Sequence, residues 1–200
     1  HRQRPRANRT RPWAVTKQYI VISGMTAAGA MLAGALIMPS EGLRLAAYRD
    51  PIGIVTDCWG HTKTARLGQT NTEAECIRKL QSDMQEHWDG VMKCAPGLAK
   101  APPRVQGATL SFAYNVGVAK ACQSTFVHKA QSGDYPGACA ELPRWVFMGG
   151  KDCRKPESRC DGLVTRRSRE RSVCDGNSTG MMAVAGAYSL ANVTQKVMTR

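Results

Sequence analysis

Residues 41–62 read EGLRLAAYRDPIGIVTDCWGHT, and the architecture of the chain turns on this stretch. It opens on Glu41, meets a second acid at Asp50, turns at Pro51, and passes Thr56 before Gly60 and His61. The spacing of Leu43, Leu45 and Tyr48 predicts a short helix ending before Pro51. Ile52 to Trp59 is rich in β-branched residues around Gly53, which predicts a strand or hairpin. A helix carrying Glu41, a turn at Pro51 and a returning strand can aim Glu41, Asp50 and Thr56 into one cleft. Hydrolysis of a glycosidic bond needs such a pair: one carboxyl protonates the leaving oxygen, the other manages charge or water on the opposite face. On spacing alone the plainer reading is the stronger one, an acid at the N-terminus of a helix at Glu41 and a helix-end turn acid at Asp50.

Downstream of this stretch the chain reads as helices. Thr72-Glu73-Ala74-Glu75 is an N-cap followed by acids, opening a helix through about Trp88. Val105 to Val116 and Ser124 to Gln131 have helical apolar spacing; Ser132-Gly133-Asp134 breaks the second, and Pro136 opens the next helix. A final helix is expected over Val164 to Val173. The expected fold is α+β and mostly α, with a small N-terminal β-hairpin region, a helical C-terminal lobe and a hydrophobic helix in front. Two hundred residues suffice for one such core with appendages. The expected divisions are a basic tail over 1–18, a weakly hydrophobic segment over 19–38, the body over 39–175 and an extension over 176–200. The extension suggests no chemistry of its own. The first residue is His1, not Met, which suggests processing or numbering from an internal point.

The formal net charge is +13. Arg2, Arg4, Arg6, Arg9, Arg11 and Lys17 precede Glu41 without a single acid among them, and the remainder keeps 22 basic against 15 acidic residues. Such a balance favours polyanionic partners. The arginines sit beside Tyr19 to Met38, a charge-free run about long enough to span a bilayer as a helix. Orientation and lipid contact therefore account for them better than nucleic acid does. The run contains Gly24, Gly29, Gly34 and many alanines, so its apolar character is weak. Four readings stay open: a cleaved signal peptide with Ala33-Gly34-Ala35 as the cleavage site, a permanent anchor, a segment that inserts and later leaves, and a buried helix of the folded body. The basic flank favours the first three.

Eight cysteines, Cys58, Cys76, Cys94, Cys122, Cys139, Cys153, Cys160 and Cys174, form no C-x-x-C pair and lie at no ligand spacing from the histidines. A zinc site is not expected. With an export segment in front, an even count reads as disulfides formed outside the cytosol. Cys153 and Cys160 are the easiest pair to close; the other pairings stay open among about 105 connectivities.

Three blocks of sequence, in order, resemble phage-type lysozymes, the endolysins of glycoside hydrolase family 24. Residues 41–62 resemble their active-site segment: a Glu, eight residues, an Asp, five residues, a Thr, then Gly-His. Phe112 to Gly117 with Ser124-Thr125-Phe126 resembles their central helix pair. Arg144-Trp145 with Gly149-Gly150-Lys151, then Gly162 to Cys174, resembles their C-terminal signature. The resemblance implies a muramidase of monomeric form that cuts the β-1,4 bond between N-acetylmuramic acid and N-acetylglucosamine in peptidoglycan and needs no cofactor. It implies Glu41 as general acid, Asp50 as the group that orients water or stabilises the transition state, Thr56 as a further holder of that water, and an inverting outcome. His61, Asn115 and Arg166 are candidate substrate contacts, although His61 reads better as structural and Asn115 equally well as a helix cap. Arg166 and Arg167 are also candidates to contact Glu41 itself or a glycan carboxylate, with a solvated helix face or an internal salt bridge as the equal alternative. Trp145 reads as core.

The N-terminal segment resembles that of signal-anchor-release endolysins. This implies export, tethering to the cytoplasmic membrane through residues 19–38, and release into the periplasm of a Gram-negative host, the gene being carried by a phage or prophage. No cysteine lies in residues 1–57, so disulfide exchange from within the anchor cannot trigger release. Asp57 departs from the family pattern, and strand alternation turns it away from Thr56. So does the insertion from Asp152 to Asp161. The alternative functions are a non-enzymatic cationic, membrane-active protein, an inactive peptidoglycan binder, which the intact acid pair argues against, and a chitinase-like substrate variant.

Overall fold

Gly42, at a φ of +71°, sets the course of the chain around Glu41. Helix α1 (Ala27–Glu41) ends on the acid itself, and beyond Gly42 the chain is strand β1 (Arg44–Arg49). The helix expected from Leu43 to the turn is therefore a strand. It pairs antiparallel with β2 (Val55–Cys58), with Tyr48 opposite Thr56 and Arg44 opposite Cys58. The register shifts between Arg44 and Tyr48. This irregularity interrupts the strict alternation of a strand, so the spacing of Leu45 and Tyr48 could be read as helical. Residues 20–177 are described by the computed structural model; the tail 1–18, Tyr19 and residues 178–200 lie outside the described residues.

The rest of the body is helical. Helix α2 (Glu73–Cys94) starts at a capping box, in which Thr72 and Glu75 exchange side-chain and backbone bonds, and runs past Trp88. Then come α3 (Pro103–Val116), α4 (Val118–Gln123), α5 (Thr125–Gln131) and α6 (Tyr135–Glu141), whose cap is the Asp134 carboxylate on the Gly137 N–H. A short hairpin, β3 (Phe147–Met148) and β4 (Lys151–Asp152), turns through Gly149 and Gly150 before α7 (Asp161–Asp175) closes the lobe. Trp145, expected in the core, is partly buried and packs against it, edge-on to Phe112 at 5.0 Å.

Helix α1 lies on α3, with Leu32 and Leu36 against Val173 of α7. It is an element of the folded body and crosses position 39, where the segment and the body were expected to divide. Among the described residues no helix is long and apolar enough to cross a membrane. One glycine of the segment, Gly29, and one of α3, Gly107, permit the close approach of the two helices. A Cβ on Gly107 would lie 2.7 Å from the Leu32 Cβ, and one on Gly29 would lie 2.8 Å from Gln106 Oε1. Gln106 is wholly buried and fully used: Oε1 accepts from the Thr26 N–H and hydroxyl, and Nε2 donates to the Leu98 and Ala99 carbonyls. It fastens the start of α1 to the body.

All eight cysteines are paired: Cys58–Cys76, Cys94–Cys122, Cys139–Cys174 and Cys153–Cys160, the last as expected. The first joins β2 to the first turn of α2.

Candidate active site

Glu41 stands at the junction of α1 and β1, half-buried, and its two oxygens differ. Oε1 accepts a 2.6 Å bond from Arg166 Nη1 on α7. Oε2 accepts no hydrogen bond among the described residues and faces Gly60, where a Cβ would come within 3.5 Å. Arg166 is itself held from behind. Its Nε donates to Glu170 Oε1 at 3.3 Å and its Nη2 to the Ser111 carbonyl at 3.2 Å. Glu170, with no exposed surface, also accepts from the Ser111 hydroxyl at 2.7 Å and pairs with Arg167. Arg167 reaches Asn115 Oδ1 and lies over the Phe112 ring. Burial pulls the Arg167 guanidinium below its ordinary value, against the opposing charge of Glu170. Charges thus alternate through the core behind Glu41, from Arg166 to Glu170 to Arg167, and each buried charge has an opposite partner.

Asp50 sits in the β1–β2 turn. Its Oδ1 accepts from the Ile52 N–H at 3.0 Å and the Ile54 N–H at 2.8 Å, so the loop backbone fixes the carboxylate's direction. The Thr56 hydroxyl donates to the Ile54 carbonyl at 3.3 Å, and this side chain is nearly enclosed. His61 has both ring nitrogens engaged. Nδ1 lies 2.8 Å from Asp83 Oδ2, while Nε2 meets the Thr64 hydroxyl at 2.8 Å and accepts from its N–H. The Thr64 N–H requires the lone pair on Nε2, which puts a proton on Nδ1, towards Asp83. Asn115 spends its carbonyl oxygen on Arg167. Of the sequence candidates, Glu41 and Arg166 are in direct contact, Asp50 and Thr56 share the hairpin that follows Glu41, and His61 and Asn115 are bound to other protein groups.

Several contributors carried no sequence signal. Tyr114 donates its hydroxyl to the Trp59 carbonyl at 2.9 Å, and burial holds its phenol well above its ordinary value. Glu170 belonged to a motif without a role. Asp83 lies 22 positions from His61 on another element, a pairing that only the fold creates. Asp57, noted for its departure, is wholly buried against Asn71 and Lys79 instead of the acid pair. Among the described residues no group of His, Cys, Asp or Glu is placed to hold a metal ion.

The arrangement offers a carboxyl with one fixed and one open oxygen, and, in the hairpin that follows it, a second carboxylate preset by backbone N–H groups. The chain also resembles known proteins at the level of family. The phage lysozyme family model matches residues 38–170. The SAR-endolysin of bacteriophage PS119 is 40% identical over 137 residues, covering 67% of this chain and 75% of the relative. That of Enterobacteria phage P21 is 38% identical over 137 residues, with 67% and 76% covered. Among solved structures, the active form of the P1 phage endolysin Lyz superposes with a TM-score of 0.61 at 24% identity, covering 76% of this chain and 84% of that one. The endolysin of Escherichia coli O157:H7 phage FAHEc1 gives 0.58 at 26% identity, with 72% and 90% covered.

Proposed function

From the premise that this chain belongs to the phage lysozyme family, we propose that it is an endolysin hydrolysing the β-1,4 bond between N-acetylmuramic acid and N-acetylglucosamine in peptidoglycan. The observation that carries the reading is the asymmetry of Glu41. Arg166 fixes Oε1, and Oε2 is left open above a glycine that brings no side chain into its path. Glu41 delivers a proton from Oε2 to the leaving glycosidic oxygen. Asp50, aimed by two backbone donors, orients the attacking water or faces the developing positive charge, and Thr56 helps hold that water. Attack from the face opposite the leaving group inverts the anomeric centre. Every step is proton transfer or electrostatic stabilisation within the chain's own residues.

That these relatives are SAR-endolysins supports export of this chain in the same manner. In this reading residues 19–38 tether the monomer to the cytoplasmic membrane, and release delivers it to the periplasm of a Gram-negative host. A segment held in the bilayer and α1 seated on α3 exclude one another, so the tethered form lacks the assembled cleft.

One experiment tests both parts. Purified peptidoglycan is treated with membrane-bound and released wild type, and with released Glu41→Gln, following turbidity and new reducing ends. Released wild type is expected to expose muramic acid reducing ends, with Glu41→Gln at least about a thousandfold slower. Undiminished wall cleavage by Glu41→Gln would remove Glu41 from the chemistry; killing of cells without wall cleavage would favour a membrane-active cationic protein. Equal specific activity of bound and released wild type would rule out control by tethering.

A further inference from the structure

The wall beside Glu41 Oε2 is a five-residue turn, Asp57 to His61, closed by two reciprocal backbone bonds of 2.9 Å between its end residues. Four of its five members are tied to a helix. Asp57 Oδ2 accepts from Lys79 Nζ of α2 at 2.5 Å. Cys58 is bonded covalently to Cys76 of α2. The Trp59 carbonyl takes the Tyr114 hydroxyl of α3, and the His61 ring takes Asp83 of α2. Only Gly60 is free, at a φ of +81°, and Gly60 is the residue that faces Glu41.

Within this set Asp57 is anomalous. Its side chain has no exposed surface, Lys79 is 15% exposed, and they join a strand to a helix 22 positions on. A buried carboxylate is costly to desolvate, and an apolar side chain would fill the same space at less cost. What the charge adds is direction. Both bonds converge on Oδ2, from Lys79 and from Asn71 Nδ2 at 2.9 Å, while the buried Oδ1 has no partner among the described residues. Asn71 in turn donates its N–H and its side-chain amide to the Leu45 carbonyl. Asp57 therefore sets the turn against α2 and against β1, the strand that leaves Glu41, at once.

We propose that Asp57, through Lys79, is a positioning residue that holds Gly60 against the open oxygen of Glu41 and so fixes where the leaving glycosidic oxygen can sit. This rests on the muramidase reading above. The disulfide at Cys58 limits how far the turn can move, and the ion pair one residue earlier adds a second fixed point on α2 at the start of the turn.

The test is steady-state cleavage of soluble glycan strands by wild type, Asp57→Asn, Lys79→Met and Lys79→Arg, each normalised to folded protein, with amide exchange of Gly60 followed by NMR. Expected is a kcat about tenfold lower in Asp57→Asn and Lys79→Met with KM little changed, since a small misplacement beside the reacting atoms costs rate more than binding. Lys79→Arg, which keeps the ion pair, should retain most of the rate, and Gly60 exchange should quicken only in the two slow variants. A merely structural role would lower the folded fraction and leave kcat per folded molecule alone. Wild-type kcat in Asp57→Asn, or an equal loss in Lys79→Arg and Lys79→Met, would overturn the proposal while leaving the muramidase reading intact. Wild type that releases no reducing ends would overturn that reading, and this one with it.

Discussion

Arg166 stands between two carboxylates, Glu41 at 2.6 Å and Glu170 at 3.3 Å, and also holds the Ser111 carbonyl. Removing it leaves Glu170 fully buried with Arg167 as its one remaining cation and leaves Glu41 unrestrained. Arg166→Ala should therefore cost about 3 kcal/mol of stability, the scale of a broken buried ion pair, read from the urea midpoint at unchanged slope. Activity per folded molecule should fall as well, because Glu41 can then turn away from Gly60. Arg166 shows how much of the site was open to sequence reasoning. The motif nominated Arg166 and Arg167 together as possible partners of Glu41; it could not say that one faces Glu41 and the other faces Asn115. That choice depends on which side of α7 meets α3, and residues 55 positions apart decide it.

Element ends were legible where the chemistry is local. The cap at Thr72 is such a case, and it has a pH signature. Its backbone and side-chain bonds hold the Glu75 carboxyl below the ordinary value of 4.5. A lowered value in the folded state means the contribution is complete above the unfolded chain's titration and is lost as pH falls through the folded one. Thr72→Ala should cost about 1 kcal/mol at neutral pH, and the difference from wild type should shrink on acidification below the glutamate range; stability against pH for both proteins checks this. Elements defined by remote partners were not legible. Strand β1 looked helical because a bulge broke its alternation, and its partners lie on β2 and at Gln69 and Asn71. The charge-free length and basic flank of residues 19–38 point to a bilayer, while Gly29 on this segment and Gly107 on α3 let the two helix backbones meet. Gly107→Ala forces its new methyl towards the Leu32 Cβ. It should cost about 2 kcal/mol by overpacking and should also reduce kcat, since Glu41 ends the displaced helix. Thermal unfolding and wall cleavage measured together check both.

At the scale of the whole molecule the helical lobe was readable from caps and periodicity, but three of the four cysteine pairings were not, because they join elements that only the tertiary fold brings near. Those pairings have an uneven reach. Every cystine closes between Cys58 and Cys174, so the chain from Ile20 through β1 is fastened to the rest only by packing and hydrogen bonds. Cross-linking narrows the unfolded ensemble of the enclosed portion and does nothing for the chain outside it. Among the described residues, the long stretch left unstapled is the one that brings Glu41 into place. Under rising urea the enzyme should fall silent while the cross-linked lobe still keeps its helical circular dichroism, and dilution should restore cleavage without any thiol chemistry. Coincident loss of activity and ellipticity would mean that the front helix and the lobe come apart as a single unit.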